Sequence, residues 1–389
     1  MRDMNLYGIS GLHQYVDAEN FGLILDNVNA KYNNAIWRQF ASWGEPTDDR
    51  EWKQGVKKTP ILVRASVIGT HSGKPQRSTL GWELYGGTLP QVGHGFNITK
   101  DDMIELRKVA KLSNLTFGEA LTDSFITNSD AMLGGIHNEL SYMVMQAMST
   151  GEIHDVAVDG ARYDFKFQIP DENFLSPDTG KDWYIWDTTG ATPKLIANTS
   201  ADVIEDILTF QKYLTKTLSL GVDHWKLSDD LLDKICLHPS VKAAYLASKN
   251  LNEASLASYK IVRTELLAWM HNDMKVWPFQ VIDFQSRHEE DGKPVADDPA
   301  FDIHNMVAAS RAYRPFEMKC MNSILIDRVK MGGLDSSTRY SFVEGRIAVR
   351  NSWQEDPILN VIDCELYAGP VFNNVHDYAI ATVWKEYEP

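Results

Sequence analysis

Residues 117–155 read FGEALTDSFITNSDAMLGGIHNELSYMVMQAMSTGEIHD. Apolar side chains recur in this stretch at intervals of three and four residues, which predicts a single helix from about residue 117 to 149. Such a helix is a rod of about 45 Å, ended by Thr150-Gly151 and weakened or bent in its middle by Gly134-Gly135. The predicted buried face contains Leu121, Phe125, Met132, Ile136, Leu140, Met143 and Ala147.

The region before this rod divides into a helical arm and an extended segment. Residues 1–55 form a predicted N-terminal arm whose apolar residues follow a helical spacing. Residues 56–96 contain a β-branched run, a turn near Gly73 and Lys74, and a glycine-interrupted return, which predict a long hairpin. About 14 residues a side at roughly 3.3 Å each reach about 45 Å, about twice the radius of gyration of about 21 Å for a compact chain. Because such a ribbon cannot stabilise itself, we expect it to lie on a neighbouring copy.

Shorter helices and strands complete the predicted structure. Thr99 or Asn97 can cap a helix that starts at Asp101, since a side-chain oxygen there satisfies free backbone N–H groups. After the rod, residues 153–169 alternate in β fashion about a turn at Asp159-Gly160.

The second half of the chain begins with helices and ends with strands. Residues 202–220 form a predicted amphipathic helix, and Ser228 caps the next helix. A further helix leads into the strand FQVIDFQSR at residues 279–287, and the C-terminal third is mostly strand. The predicted fold class is therefore α+β.

Composition excludes several classes of protein. The 389 residues are 43% apolar, enough for two or three domains with well-packed cores. No window approaches about 18 consecutive apolar residues, and the first residues do not resemble a signal peptide, so we expect a soluble protein of the cytosol. A net charge of −15 disfavours nucleic-acid binding through a basic surface. The widely spaced Cys236, Cys320 and Cys364 predict buried thiols rather than a metal or redox site.

The stretch HEEDGKP, residues 288–294, has the composition either of an active site or of an exposed hairpin end. Its titratable residues are His288, Glu289, Glu290 and Asp291. Paired carboxylates perform acid–base work when one of them is partly desolvated, whereas consecutive charges beside Gly and Pro are typical of a solvated turn. Consecutive residues also cannot converge on a metal ion without further ligands. We interpret the stretch as a turn without catalytic, cofactor or metal function, and a carboxylate hydrolase using acids near residues 283–298 is kept as an alternative.

No other motif predicts a reaction centre. The HNE motif at residues 137–139 lacks the HExxH spacing, and we interpret it as a polar patch on the side of the rod. The GHG motif at residues 93–95 does not complete a dinucleotide-binding motif, and neither a GxSxG elbow nor a P-loop occurs. The eleven tryptophans are spread along the chain, which suits core and interface anchors better than a sugar-binding groove.

Four stretches follow one another in an informative order. These are MQAMSTGEIHD at the end of the rod, DHWKLSDDLLDKICLHPSVK, FQVIDFQSRHEEDGKP followed by SILIDRVKMGG, and the C-terminal ELYAGPVFNNVHDYAIATVW. This order, together with the arm and the long hairpin, resembles the major capsid protein fold of tailed phages that is named after phage Hong Kong 97. Within that family, the lambda-type major capsid protein E branch is the most similar. The resemblance spans nearly the whole chain and depends on the order of the motifs.

The resemblance implies a division of the chain into five parts. They are an arm (1–55), an extended loop or E-loop (56–96), a peripheral domain (97–199) with a spine helix near 117–149, an axial domain (200–340), and C-terminal strands that return to the peripheral domain (341–389). It also implies that the E-loop of one subunit lies over the peripheral domain of the next. The candidate contact residues between subunits are Gly73, Lys74, Arg77 and Trp82 in the loop and His288, Glu289, Glu290 and Asp291 in the axial domain.

The implied function is structural and involves no catalysis or cofactor. The resemblance implies a major capsid protein that self-assembles into pentamers and hexamers of an icosahedral head around double-stranded DNA, without sequence-specific DNA binding and without a membrane. Assembly is expected in the host cytoplasm, and an encapsulin-like nanocompartment shell is the alternative.

The implied partners are a scaffolding protein, a portal and decoration proteins. Because this chain keeps Met1, we expect any scaffold to be a separate protein. Some members of the family cross-link a loop lysine to a neighbour. We expect no such bond at Lys74, because a matched acceptor and acid are not recognised in the sequence.

Overall fold

The computed structural model describes residues 18–57, 82–156, 162–189, 192–249, 262–290, 293–296, 299–310, 314–325, 338–355 and 358–387. The chain forms two compact units, each built from separate stretches. Unit 1 comprises Met1–Lys53, Gly86–Val144 and Phe316–Val371, and unit 2 comprises Gln54–Tyr85, Met145–Pro315 and Phe372–Pro389. No helix within these described ranges is both long enough and apolar enough to cross a membrane.

Helices and strands alternate irregularly along the chain, as expected for an α+β protein. The helices are α1 (Ala18–Asn29), α2 (Trp37–Phe40), α3 (Lys100–Leu112), α4 (Phe117–Thr150), α5 (Val203–Lys212), α6 (Asp229–Leu237), α7 (Pro239–Ser248) and α8 (Arg263–Asn272). The strands are β1 (Ala41–Trp43), β2 (Glu51–Lys57), β3 (Trp82–Thr88), β4 (Gln91–Thr99), β5 (Glu152–Val156), β6 (Arg162–Lys166), β7 (Phe174–Leu175), β8 (Tyr184–Asp187), β9 (Lys194–Ala197), β10 (His224–Ser228), β11 (Phe279–Ile282), β12 (Arg287–Glu290), β13 (Lys293–Ala296), β14 (Asn305–Ala309), β15 (Phe316–Met321), β16 (Thr338–Val343), β17 (Ile347–Glu355), β18 (Ile358–Phe372) and β19 (Ala379–Thr382).

The predicted rod is α4, and local signals define both of its ends. Thr116 and Glu119 form a reciprocal capping pair, in which the Glu119 N–H donates to Thr116 Oγ1 at 3.3 Å and the Thr116 N–H donates to Glu119 Oε2 at 2.8 Å. At the other end Gly151 adopts φ = +74°, a conformation that side chains disfavour. The predicted extent of the helix is thus confirmed, with the last residue at Thr150.

The glycine pair in the middle of α4 serves close packing instead of interrupting the helix. The helix continues through Gly134 and Gly135, so the predicted weak point does not break it. A Cβ atom at Gly134 would lie 2.6 Å from the Tyr32 hydroxyl, and one at Gly135 would lie 2.2 Å from Nδ1 of His94. Tyr32 is held there because its hydroxyl donates to the backbone oxygen of Asp130 at 2.8 Å. The missing side chains therefore allow the arm and β4 to approach the helix.

Unit 1 contains a six-stranded sheet that packs against α4. The strand order is β1-β15-β18-β17-β16, and β4 also pairs with β18. Alternate residues of β18 are buried, including Ile362, Cys364 and Leu366, which is the pattern of a sheet with one covered face. The Cys364 thiol lies 4.0 Å from the backbone oxygen of Met132, so this face contacts α4. All three cysteines are free and buried, as predicted.

Unit 2 contains a five-stranded sheet with the order β11-β10-β14-β19-β7. Trp183, Trp225 and Trp384 lie in the hydrophobic core between this sheet and the surrounding helices. Two predicted starting points of helices are also confirmed. Asp202 caps α5 by accepting from the N–H groups of the first turn, and Ser228 caps α6 in the same way.

The predicted single strand over residues 279–287 is wrong. The structure divides it into β11, which pairs in parallel with β10, and β12, which pairs with β13 in a separate hairpin. The reason lies in the partner strand. Ile282 is paired with Ser228, and Ser228 is the residue at which β10 ends and α6 begins, so β11 has no further partner on that strand.

Separate two-stranded sheets accompany the two larger ones. The predicted hairpin after the rod is present as β5 and β6, which pair from Glu152↔Lys166 to Val156↔Arg162. The segment that contains Trp186 forms the hairpin of β8 and β9. β2 pairs with β3 at the base of the predicted E-loop.

We predict that Gly134→Ala destabilises the subunit. Helix propensity alone favours alanine by about 1 kcal/mol. However, the new methyl group would collide with the anchored Tyr32 hydroxyl, so the free energy of unfolding should fall by about 1–3 kcal/mol. Urea denaturation of the unassembled subunit measures this. Gly221→Ala is the control, since a Cβ there meets no atom within 4 Å; a stabilised Gly134→Ala protein would contradict the packing explanation.

Candidate functional site

The residues predicted to contact neighbouring subunits fall in two segments. In the loop segment, Gly73, Lys74 and Arg77 lie outside the described residues. Trp82 is the first residue of β3. The predicted contact between this loop and a neighbouring copy therefore stays a prediction.

The second segment, HEEDGKP, forms a hairpin. Its first three residues belong to β12, and Glu290 is paired with Lys293 of β13 across the turn. His288 is exposed, and Asp291 lies outside the described residues. Nowhere in the described ranges do three or more His, Cys, Asp or Glu side chains converge in a way that could hold a metal ion. The pairing of β12 with β13 confirms the hairpin itself, and the role of the hairpin in contacts between subunits stays a prediction.

A polar cluster in unit 1, which we call the arm clamp, was not predicted from the sequence. It consists of Asn29, Arg38, Trp43 and Glu344. The Glu344 carboxylate accepts hydrogen bonds from Asn29 Nδ2 at 2.7 Å, Arg38 Nη2 at 2.5 Å and Trp43 Nε1 at 2.6 Å. Glu344 occupies the turn between β16 and β17 with φ = +52°, an uncommon conformation for a residue with a side chain. One carboxylate thus connects three parts of the N-terminal arm to a turn near the C-terminus.

The electrostatics of the arm clamp favour an ionised carboxylate. Burial of Glu344 opposes ionisation, but the charge of Arg38 and the hydrogen bonds from Trp43, Arg38 and Asn29 hold the pKa of Glu344 below its usual value. A cation–π contact positions Arg38, because its guanidinium group lies 4.6 Å from the ring centroid of Trp37. The clamp is therefore a half-buried ion pair in which both carboxylate oxygens of Glu344 accept hydrogen bonds.

His137 extends the arm clamp to α4. Its Nδ1 atom accepts from Trp37 Nε1 at 3.1 Å, and its Nε2 atom lies 2.8 Å from Oδ1 of Asn29, to which it donates. Asn29 therefore bridges His137 and Glu344. Burial, aided by the positive charge of Arg38, lowers the pKa of His137 to about 4, so the ring is neutral near pH 7.

The predicted polar patch at residues 137–139 is wrong for His137, which is only 1% exposed. The periodicity of the helix explains the burial. His137 lies four residues after Leu133 and three before Leu140, both fully buried, and therefore belongs to the apolar face of α4. Its neutral ring has both nitrogens occupied by structural hydrogen bonds, so the arrangement suits anchoring and does not suit proton transfer to a substrate.

Comparison with known proteins bears on the fold. No protein-family model matches the chain, and no curated protein matches it. Among solved structures, a protein assigned as the capsid protein of a prophage of E. coli CFT073 matches with a TM-score of 0.51 and 11% identity, over 94% of this chain and 99% of that one. The chain has a phage capsid fold. The predicted α+β capsid fold of the Hong Kong 97 type is thus confirmed.

Two further solved structures align over most of their length. A phage-related protein from Bordetella bronchiseptica RB50 has a TM-score of 0.45 and 10% identity, over 92% of this chain and 95% of that one. The capsid protein of the Myoviridae phage XM1 has a TM-score of 0.43 and 10% identity, over 90% and 92%. At these identities the likeness concerns the fold alone, and the lambda-type branch and the five domain boundaries stay predictions.

We predict that Glu344→Gln lowers the free energy of unfolding of the unassembled subunit by about 2–3 kcal/mol. An amide cannot neutralise the half-buried Arg38, and it can accept fewer of the three donated hydrogen bonds. Urea denaturation measures the change. Glu45→Gln is the matched control at an exposed position and should change stability by less than about 0.5 kcal/mol; equal effects of both variants would show that the clamp contributes nothing specific.

We also predict that His137 makes the subunit sensitive to acid. The pKa of His137 is about 4 in the folded chain and about 6.5 when unfolded. Its contribution is therefore complete above pH 6.5 and is lost as the pH falls towards 4, with about 2 kcal/mol lost by pH 5. Urea denaturation between pH 7.5 and 5 should show a shallower pH dependence for His137→Asn than for the unchanged chain.

The control for this experiment is the exposed His154, whose effect has the opposite sign. Hydrogen bonds to Asp164 and Glu152 raise the pKa of His154 above its usual value. Its contribution is consequently present at low pH and is lost as the pH rises through the folded pKa. His154→Asn should therefore steepen the loss of stability in acid, and a pH dependence unchanged by either substitution would contradict both assignments.

Proposed function

We propose that this chain is a major capsid protein that self-assembles into the pentamers and hexamers of an icosahedral head enclosing double-stranded DNA. The observation that carries the proposal is the shared fold with the prophage capsid protein, which extends over 94% of this chain and 99% of that one. The function is accordingly structural, and the site of action is the capsid of the virion.

The composition supports a shell that encloses DNA without binding it tightly. The chain carries 53 acidic and 38 basic residues, which gives a net charge of −15. A strongly acidic inner surface would repel phosphate groups, so packaged DNA would remain free to enter and to leave. We propose that a separate scaffolding protein, a portal and decoration proteins are the further partners, and that assembly takes place in the host cytoplasm.

The arm clamp supports a role for unit 1 as a preformed building block. Residues from Asn29 to Trp43 are anchored to Glu344 and, through His137, to α4 of the same chain. This part of the arm therefore need not fold on binding, and association does not require the additional loss of conformational entropy that ordering it would cost. The E-loop, in contrast, is proposed to acquire its partner only in the shell, where it would lie over a neighbouring subunit.

The experiment that tests the proposal is electron microscopy of the purified protein. Closed icosahedral particles are expected, and soluble monomers at all concentrations would contradict the proposal. Native particles that contain double-stranded DNA would support a phage head, whereas particles that contain an enzyme and no nucleic acid would support the encapsulin-like compartment. No observation on the described residues favours a hydrolase that uses acids near residues 283–298.

We predict that the HEEDGKP hairpin tunes contacts between subunits. The triple variant Glu289→Gln, Glu290→Gln, Asp291→Asn removes three negative charges near the proposed axis of a pentamer or hexamer, where copies of the same charge repel one another. The critical concentration for assembly should then fall by a factor of about 3–10 at low salt, and by less at high salt because salt screens the repulsion. The control Glu289→Asp, Glu290→Asp, Asp291→Glu keeps every charge, and light scattering measures both. Equal assembly of both variants at low salt would exclude this role.

A further inference from the structure

The helix α3 is only weakly covered by its own chain. Ala110 is its single buried residue, and Met103 and Leu106 are half-buried. Thr99 and Asp102 form a capping box that stabilises its first turn. A helix of 13 residues is nevertheless marginal in water unless one of its faces packs against a partner.

The outward face of α3 is rich in exposed apolar side chains. Ile104 is 44% exposed, Val109 is 54% exposed and Leu112 is 85% exposed, and Leu115 just beyond the helix is 47% exposed. With about 100° between successive residues, Leu112 lies nearly opposite Ala110, and Ile104 and Val109 lie on the two flanks of that outward face. Large apolar side chains exposed on the outward half of one short helix indicate a place where another molecule docks.

The charges of α3 are arranged in two halves of opposite sign. After Lys100, the first half contains Asp101, Asp102 and Glu105, and the second half contains Arg107, Lys108 and Lys111. With four basic and three acidic residues the helix has a net charge of +1, in a chain whose net charge is −15. Two copies of an acidic protein repel one another, so they approach most easily where the surface is nearly neutral.

We propose that α3 pairs antiparallel with α3 of a second copy of this chain about a twofold axis. A twofold contact brings the same surface of both copies together, so that surface must be complementary to itself. The charge order of α3 meets this requirement, because an antiparallel arrangement places the acidic half of one helix against the basic half of the other. With the axis near the middle of the helix, Glu105 of each copy faces Lys108 of its partner, and Ile104 and Val109 flank these charges.

The place of this contact in the particle rests on the proposed function. In a closed icosahedral shell, pentamers and hexamers meet their neighbours across twofold and quasi-twofold axes. The pairing of α3 would therefore join separate pentamers and hexamers, whereas the fivefold and sixfold contacts hold each of them together. A direct dimer of the chain would be expected even before a shell closes.

The experiment exchanges charges between two preparations of the full chain. In the Glu105→Lys variant, positions 105 and 108 are both lysine, and in the Lys108→Glu variant both are glutamate. A dimer of either variant alone therefore brings four charges of the same sign together at the twofold axis. Self-association of each should weaken by about tenfold or more at low salt. An equimolar mixture should associate as the unchanged chain does, because each lysine of one variant then faces a glutamate of the other.

The mixture separates a contact between copies from an effect within one helix. Glu105 and Lys108 are also three residues apart on the same helix, and an intrahelical effect would not be rescued by mixing. Sedimentation velocity measures association, and far-ultraviolet circular dichroism confirms that each variant is folded. The matched control is the exposed i,i+3 pair Asp178 and Lys181, where Asp178→Lys and Lys181→Glu should leave association unchanged.

The outcomes distinguish this proposal from the proposed function. If both single variants associate and form shells normally, or if mixing fails to restore association, the α3 contact is overturned while shells of the unchanged chain still support the capsid function. If the unchanged chain forms dimers that depend on Glu105 and Lys108 but never shells, the α3 contact stands and the capsid function fails.

Discussion

Close packing around the middle of α4 is the constraint on which unit 1 depends. Gly134 and Gly135 leave space into which Tyr32 and the ring of His94 fit directly against the helix. One turn further, His137 uses both ring nitrogens to hold the arm. The sheet covers another side of the same helix. A single long helix can therefore organise arm and sheet together because its sequence provides small residues, a buried polar residue and apolar residues on different faces.

Local patterns were sufficient to predict many of the secondary-structure elements. These patterns involve only residues close together in sequence. They are the apolar spacing of α4, the left-handed conformation of Gly151, and the side-chain caps at Thr99 and Ser228. The α+β class followed from these elements, and the capsid fold followed from the resemblance of their order to that of a known family. Their success has a physical basis, since capping and periodicity are determined by neighbouring residues before any tertiary contact forms.

Features that depend on distant residues could not be predicted in this way. The end of β11 at Ile282 is determined by Ser228 on another strand. The arm clamp joins Arg38 to Glu344, which are 306 positions apart, and no local pattern identifies that pair. The burial of His137 could have been predicted, because its spacing from Leu133 and Leu140 places it on the apolar face of the helix. The polar character of His137 had instead suggested a position on the surface, and that prediction was wrong.

The large separation in sequence between the residues of the arm clamp also affects when the chain can fold. During synthesis, Asn29 and Trp43 emerge from the ribosome 315 and 301 positions before Glu344. The arm clamp therefore closes only after Glu344 has been made, and contacts between residues so far apart in sequence form slowly. A truncated chain that lacks the C-terminal stretch would retain an arm without its anchor. Synthesis through Glu344 is thus a precondition for an anchored arm in unit 1.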